Sequence, residues 1–243
     1  MQGMPASLSP LPLVLASAVV GAVEQILLNP LSVLRSKVFA GRPESLGQLT
    51  QRNRWACGLR LVLFMQVAQN VVGYGLWAAL SRHGMSSWAA GMISGAVNGI
   101  AFAPCRRVLF QQHLGAKQPA LAIMRRICRL EGIWGLWRGL WISLVRNSLG
   151  AMVYFGALGG LMDMAPTTHP ALVGAAATAA STIARNPCEV ALARIYTGLW
   201  KAGKPREYAR GLGVALARTV PAKALTWWAI YGLAGALASA GLG

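Results

Sequence analysis

Arg146, Arg218, Lys223 and Glu24 are ionisable side chains set inside long apolar stretches, where a charge is costly and therefore informative. An arginine near the centre of a bilayer costs about 2.5–3.5 kcal/mol on insertion scales, so Arg146 and Arg218 are expected to face water, a partner or an anion. Glu24 is the one acid deep in such a stretch, and it could neutralise Arg218 or Lys223 across an interior. Three readings stay open from these residues: a structural ion pair, a site for an anionic solute, and arginines with no present role. Enzymatic chemistry finds no support, because the chain offers no paired carboxylates, no nucleophile beside a base, no phosphate-cradling loop and no metal-ligand spacing. Cys57, Cys105, Cys128 and Cys188 show no CxxC or His-rich spacing, which predicts neither a metal site nor a disulfide.

Long apolar elements must position these charges. With 243 residues, 55% hydrophobic content, 12% charged residues and a mean hydropathy of +0.48, the chain is too apolar for an ordinary soluble domain. Apolar stretches run from about Leu8 to Leu34, Leu59 to Leu80, Trp88 to Ala103, Leu140 to Met162, Ala171 to Ala184 and Leu212 to Leu242. Most approach the roughly 20 residues that a spanning helix needs, and the two shorter ones extend through Pro104 and Pro187, so six tilted spans are predicted. An even number places both termini on one side.

The net charge of +17 would suit a nucleic-acid partner but for its distribution. Of 23 basic residues, 19 fall in three segments, Arg35 to Arg60, Arg106 to Arg138 and Arg185 to Arg210, each following an odd-numbered span. The opposite connections carry Arg82 alone. This is a topology signal that puts the basic segments in the cytoplasm of a bacterium or its organellar counterpart, with added attraction to anionic lipid. A lipid bilayer, and no nucleic acid, is the expected partner. Met1 to Pro12 lacks the basic amphipathic character of a cleaved transit peptide, so any organellar targeting is expected to be internal.

Three copies of one pattern organise the chain. Pro30, Pro104 and Pro187 lie 74 and 83 residues apart, and each is followed eleven residues later by a glycine: Gly41, Gly115 and Gly198. Small residues recur thirteen and nine positions before the prolines as Ser17 and Gly21, Gly91 and Gly95, Gly174 and Thr178. A single domain over 1–243 is expected, with repeats at approximately 1–85, 86–166 and 167–243. Each repeat reads as a helix ending at the proline motif, a basic connector, a short amphipathic piece and a second helix introduced by a glycine. Repeat two carries Glu131, Gly132, Trp137, Arg138 and Gly139 before its second span, and Arg146 stands seven residues after Gly139 as Arg218 does after Gly211. The same offset from Gly58 gives Met65, and nine positions farther stand Tyr74, Phe155 and Trp227.

These residues resemble the mitochondrial carrier family, whose signature is Pro-x-acid-x-x-base, a connector, then acid-Gly and aromatic-base-Gly. The resemblance covers essentially the whole chain. It implies an all-α membrane protein, six tilted transmembrane helices in a barrel of threefold pseudosymmetry, in the mitochondrial inner membrane with both termini toward the intermembrane space. Pro30, Pro104 and Pro187 would kink the odd helices toward the axis. Small residues would let backbones approach closely. Gly41, Gly115, Gly198, Arg138, Gly139, Arg210 and Gly211 would hold structural cardiolipin at helix ends. Met65, Arg146 and Arg218 stand where such carriers contact substrate, with Glu24 nearby.

The signature is eroded where these carriers keep their gates. Two residues after each proline, where acids belong, stand Ser32, Arg106 and Glu189; five after, where bases belong, stand Arg35, Leu109 and Leu192. Glu189 with Arg35 is the one matrix pair that family geometry leaves. At the outer gate the acid positions are empty, the aligned residues being Trp77 and Ala78, Leu158 and Gly159, Ile230 and Tyr231. The primary expectation is therefore a non-transporting accessory subunit of a larger inner-membrane complex, such as a respiratory complex or ATP synthase. The alternative is an active carrier exchanging an anionic metabolite by alternating access, with gates closed by packing.

Overall fold

A computed structural model describes residues 10–40, 58–114, 118–164, 168–198, 208–209 and 211–239. Among them are seven α-helices: α1 (Pro10–Phe39), α2 (Leu59–Arg82), α3 (Ser87–His113), α4 (Ala120–Glu131), α5 (Leu140–Met164), α6 (Pro170–Thr197) and α7 (Leu212–Ser239), with a 3-10 segment at Ile133–Trp137. The six long helices pack each against its neighbours in chain order, and α7 returns to α1, closing the ring. Helix α4 lies outside this ring in the connector of repeat two.

The ring is turned inside out relative to a soluble protein. Gln25, Asn29, Ser94, Ser143, Thr182 and Thr226 are buried, whereas Leu27, Phe64, Trp141, Leu172 and Trp228 are exposed. Apolar side chains outside and polar ones inside fit a lipid solvent with a hydrated interior. Judged by length and apolarity alone, α2 is the helix among the described residues that qualifies as a membrane span. The interior polar residues explain the shortfall elsewhere: α6 alone buries Thr178, Ser181, Thr182, Asn186 and Glu189.

The three prolines do not end their helices. Pro30, Pro104 and Pro187 lie inside α1, α3 and α6, which continue to Phe39, His113 and Thr197. An interior proline costs about 3 kcal/mol, because it removes one backbone bond and crowds the preceding turn. Each continuation buries apolar residues, Val33 and Phe39 in α1, Val108 in α3, Val190 and Leu192 in α6. At about 1.5–3 kcal/mol per buried side chain, packing offsets the defect.

Close approach between helices is achieved in two ways. A methyl group on Gly91 would sit 2.7 Å from the Ala151 carbonyl oxygen, and one on Gly95 would collide with the Asn147 carbonyl oxygen, so α3 and α5 meet backbone to backbone. Gly174 instead forms a socket for the Trp227 indole, and Gly21 faces the Asn70 side chain. Those two glycines thus admit large side chains and not a neighbouring backbone. Ser17's side chain lies outside the described residues. The threefold repeat also persists in the backbone: Gly58, Gly139 and Gly211, at the entries of α2, α5 and α7, have φ of 73°, 81° and 74°, a left-handed conformation that glycine alone adopts freely.

Helix α4 packs Ile123 and Ile127 onto Val108 and Leu136 and exposes Arg125, Arg126 and Arg129. At its end Glu131 accepts from Arg107 at 2.5 Å and from Arg138 at 3.3 Å. The Arg107 hydrogen bond, with further attraction from Arg138, holds the Glu131 carboxyl below its ordinary value of 4.5. A lowered folded value means the clamp contributes stability that is complete above the ordinary value and is lost as pH falls through the folded one. Thermal unfolding in detergent is expected to show a drop over that acid range, and Glu131→Gln is expected to flatten the drop. An equally steep profile in the variant would dissociate the clamp from acid stability.

Candidate functional site

A cavity of about 360 Å³ lies on the barrel axis and is lined by all six long helices, through Gln25, Met65, Asn98, Arg146, Ser181 and Arg218. The sequence-predicted contacts therefore converge on one site. Met65 is buried there. Arg146 donates to Asn147 Oδ1 at 2.6 Å and lies 3.8 Å from Glu189. Arg218 donates to Ser32 Oγ at 2.7 Å and to Gln25 Oε1 at 2.9 Å. Of the two pairings open to Glu24, the one formed is with Lys223, at 3.6 Å.

At the end of the cavity nearer the basic connectors, Arg35 meets Glu189 at 2.7 Å, joining α1 to α6. Arg185, one turn before Glu189 on α6, stands 3.6 Å from the same carboxylate. The other two links of the ring were expected to be missing, since Arg106 and Leu109 cannot make them ionic. Neutral contacts from other positions bridge those helices instead. The Ser36 hydroxyl and His113 Nδ1 are 2.8 Å apart, joining α1 to α3. Gln111 Nε2 donates to the Tyr196 carbonyl at 3.3 Å, and Phe110 packs on the Tyr196 ring at 5.5 Å, joining α3 to α6. One ionic and two neutral links thus connect every pair of odd helices. Arg185 was legible as the residue four before Glu189; Ser36, His113, Gln111 and Tyr196 carry no charge pattern that would have drawn notice.

At the opposite end aromatic rings from the even helices meet. Trp227 of α7 donates from Nε1 to the Tyr154 hydroxyl of α5 at 2.7 Å, and that hydroxyl is 3.1 Å from the hydroxyl of Tyr74 on α2. Trp77 stacks on Phe155 with ring centres 4.7 Å apart and planes 12° from parallel. Leu158 and Met162 fill the space beside them. All three even helices meet in this cluster. Its members include Tyr74, Phe155 and Trp227, the aromatics that share a register in the sequence; Tyr154, the hydroxyl at the centre of the network, sits beside that register and was missed.

The positions considered for lipid are divided. Gly41, Gly115 and Arg210 lie outside the described residues. Gly198 ends α6 and its N–H is bound to the Ile195 carbonyl at 3.2 Å, so it is not a free anion donor as expected; a helix C-terminus consumes that N–H in its own cap. Arg138 binds Glu131. Gly139 and Gly211 begin α5 and α7, the helix polarity that suits an anion.

The model of the family described as mitochondrial carrier protein matches residues 81–167, which hold the end of α2, all of α3, α4 and α5 and the start of the next connection. Over that part of its length the chain is similar to the mitochondrial carrier family. Among curated relatives, it is similar to solute carrier family 25 member 53 of Homo sapiens, at 36% identity over 84 residues, 31% of this chain and 27% of that relative. It is also similar to the mitochondrial glycine transporter of Ovis aries, at 27% identity over 129 residues, 47% of this chain and 42% of that relative, and to the human glycine transporter at 26%. The matches thus span less than half the length of these carrier-family relatives. That family implies a multi-pass protein of the mitochondrial inner membrane, and the inverted polarity of the ring fits a membrane of any kind.

Proposed function

We propose that this chain is a working solute carrier that moves a small anionic metabolite through its central cavity by alternating access. The observation that carries the reading is the cation-lined cavity on the barrel axis, with interhelical contacts at either end that could break and re-form. Relatives named as transporters favour this alternative over the accessory-subunit expectation. That expectation rested on gates lost, and neutral and aromatic contacts stand where ionic links were missing.

Arg146 and Arg218 serve as substrate contacts in this reading, with Met65 as the apolar wall of the site. Both arginines touch the matrix-end layer, Arg146 at Glu189 and Arg218 at Ser32. An anion that draws them away would loosen that layer, coupling binding to opening. The Arg35–Glu189 pair acts as the ionic part of the matrix gate. Both termini face the intermembrane space, and cardiolipin binds at the entries of α5 and α7 through Gly139 and Gly211.

Purified protein in liposomes loaded with anionic metabolites is expected to exchange at least one of them. Arg146→Ala and Arg218→Ala are expected to slow that exchange on the order of 10- to 100-fold, the equivalent of one charge-assisted hydrogen bond each. If no metabolite exchanges, and the native protein migrates in mild detergent only within a much larger assembly, the accessory-subunit reading takes its place.

A further inference from the structure

Charge balance in the cavity says more about the cargo than the two expected arginines do. The cations lining it are Arg35, Arg106, Arg146, Arg185, Arg218 and Lys223; the carboxylates are Glu24 and Glu189. Among the described residues this leaves an excess of four positive charges. Arg35 and Lys223 take the two carboxylates, and Arg146 and Arg185 share Glu189 at longer range. Among the described residues, the hydrogen bonds of Arg218 go to the neutral side chains of Gln25 and Ser32. Arg106 of α3 donates at 3.1 Å to Asn147 Oδ1, the same oxygen that Arg146 of α5 uses at 2.6 Å. Two guanidiniums from different helices are thus gathered around one neutral amide oxygen. Arg146 Nε is buried with no hydrogen-bond partner at all. Six cations facing two carboxylates in a largely buried cavity are unfavourable until an anion joins them.

We infer that the cargo is a small anion bearing at least two negative charges, and that Arg106 together with Arg146 and Arg218 selects it by valence. This inference rests on the transport reading above. A single carboxylate would answer only one of the neutral-partnered guanidiniums. A zwitterion such as glycine would bring an ammonium into a cavity with excess cations, where Glu24 and Glu189 are already engaged. The volume of about 360 Å³ suits a small metabolite. Arg106 occupies a position where the family signature calls for an acid, so the matrix-end layer itself presents a cation to the cargo.

The test is exchange by the full chain in liposomes, with inorganic phosphate, malonate, succinate and citrate set against acetate, chloride and glycine. Members able to carry two charges are expected to exchange at least about 10-fold faster than acetate or glycine, the weight of one charged hydrogen bond. Arg106→Gln is expected to raise KM for the divalent members on the order of 10-fold or more and to collapse their preference over acetate, with Arg106→Lys retaining part of it. The ratio between members is the decisive readout, since a loss of folding alone lowers all rates together. Exchange of glycine or acetate as fast as the dianions would overturn the valence inference and leave transport standing, as would an Arg106→Gln variant with an unchanged ratio. No exchange of any member would overturn both.

Discussion

Replacing Glu189 by glutamine is expected to abolish exchange and to destabilise the folded protein by about 3–5 kcal/mol, the cost typical of removing one partner from a buried ion pair. Glu189 is 7% exposed, and Arg35, Arg146 and Arg185, from three different helices, lie within 4 Å of its carboxylate oxygens at 2.7, 3.8 and 3.6 Å. Glutamine keeps the shape and some hydrogen bonding but takes away the charge that holds three guanidiniums together. They would then repel across the helix ends that the pair now draws inward. Glu189→Asp keeps the charge on a shorter arm and is expected to recover part of the stability and part of the exchange. Thermal unfolding in detergent and counter-exchange in liposomes are the two readouts; a glutamine variant that matches the parent in both would mean that Glu189 neither gates nor anchors.

Trp227→Ala is expected to be comparably severe, at about 3–5 kcal/mol for truncating a large buried aromatic. The indole is 1% exposed, rests in the socket left by Gly174, and donates to Tyr154, which in turn meets Tyr74. Its removal opens a void where α5, α6 and α7 meet and leaves the Tyr154 hydroxyl with one partner fewer. If the aromatic cluster seals the outer end, the variant should also leak: entrapped anion should leave liposomes without a counter-substrate outside. Trp227→Phe retains a ring but no N–H, and is expected to cost nearer 1 kcal/mol with a smaller leak. A stable, tight Trp227→Ala protein would show that the cluster is ordinary packing remote from any gate.

The two ends of the cavity show how far the sequence could be read. Glu189 and Arg35 were found as a pair because charge type and distance from each proline identify them before any coordinates are known. Glu24 was found as the one deep acid, though its choice of Lys223 over Arg218 was not. Ser36, His113, Gln111 and Tyr196 were invisible, because neutral hydrogen-bonding residues are common on helices and only geometry says which of them meet. Judging the ring of contacts between the odd helices by charges alone made it look mostly absent. The aromatic end was half legible: Tyr74, Phe155 and Trp227 share a register, but the hydroxyl linking α2 to α7 comes from Tyr154.

What the sequence alone determined is the threefold repeat, the six long apolar elements and the gathering of basic residues into three segments, since all of these are periodic or compositional and survive without knowing any contact. The resemblance to the mitochondrial carrier family rests on the motifs that the repeat carries. Helix continuation beyond Pro30, Pro104 and Pro187 was decided by tertiary packing, which outweighs a local backbone defect. So was the convergence of Arg106 and Arg146 on one amide oxygen: the two are 40 residues apart, and only the close approach of α3 and α5 over Gly91 and Gly95 brings their charges together. Repulsion and attraction depend on distance in space, and chain spacing reports that distance only within one helix.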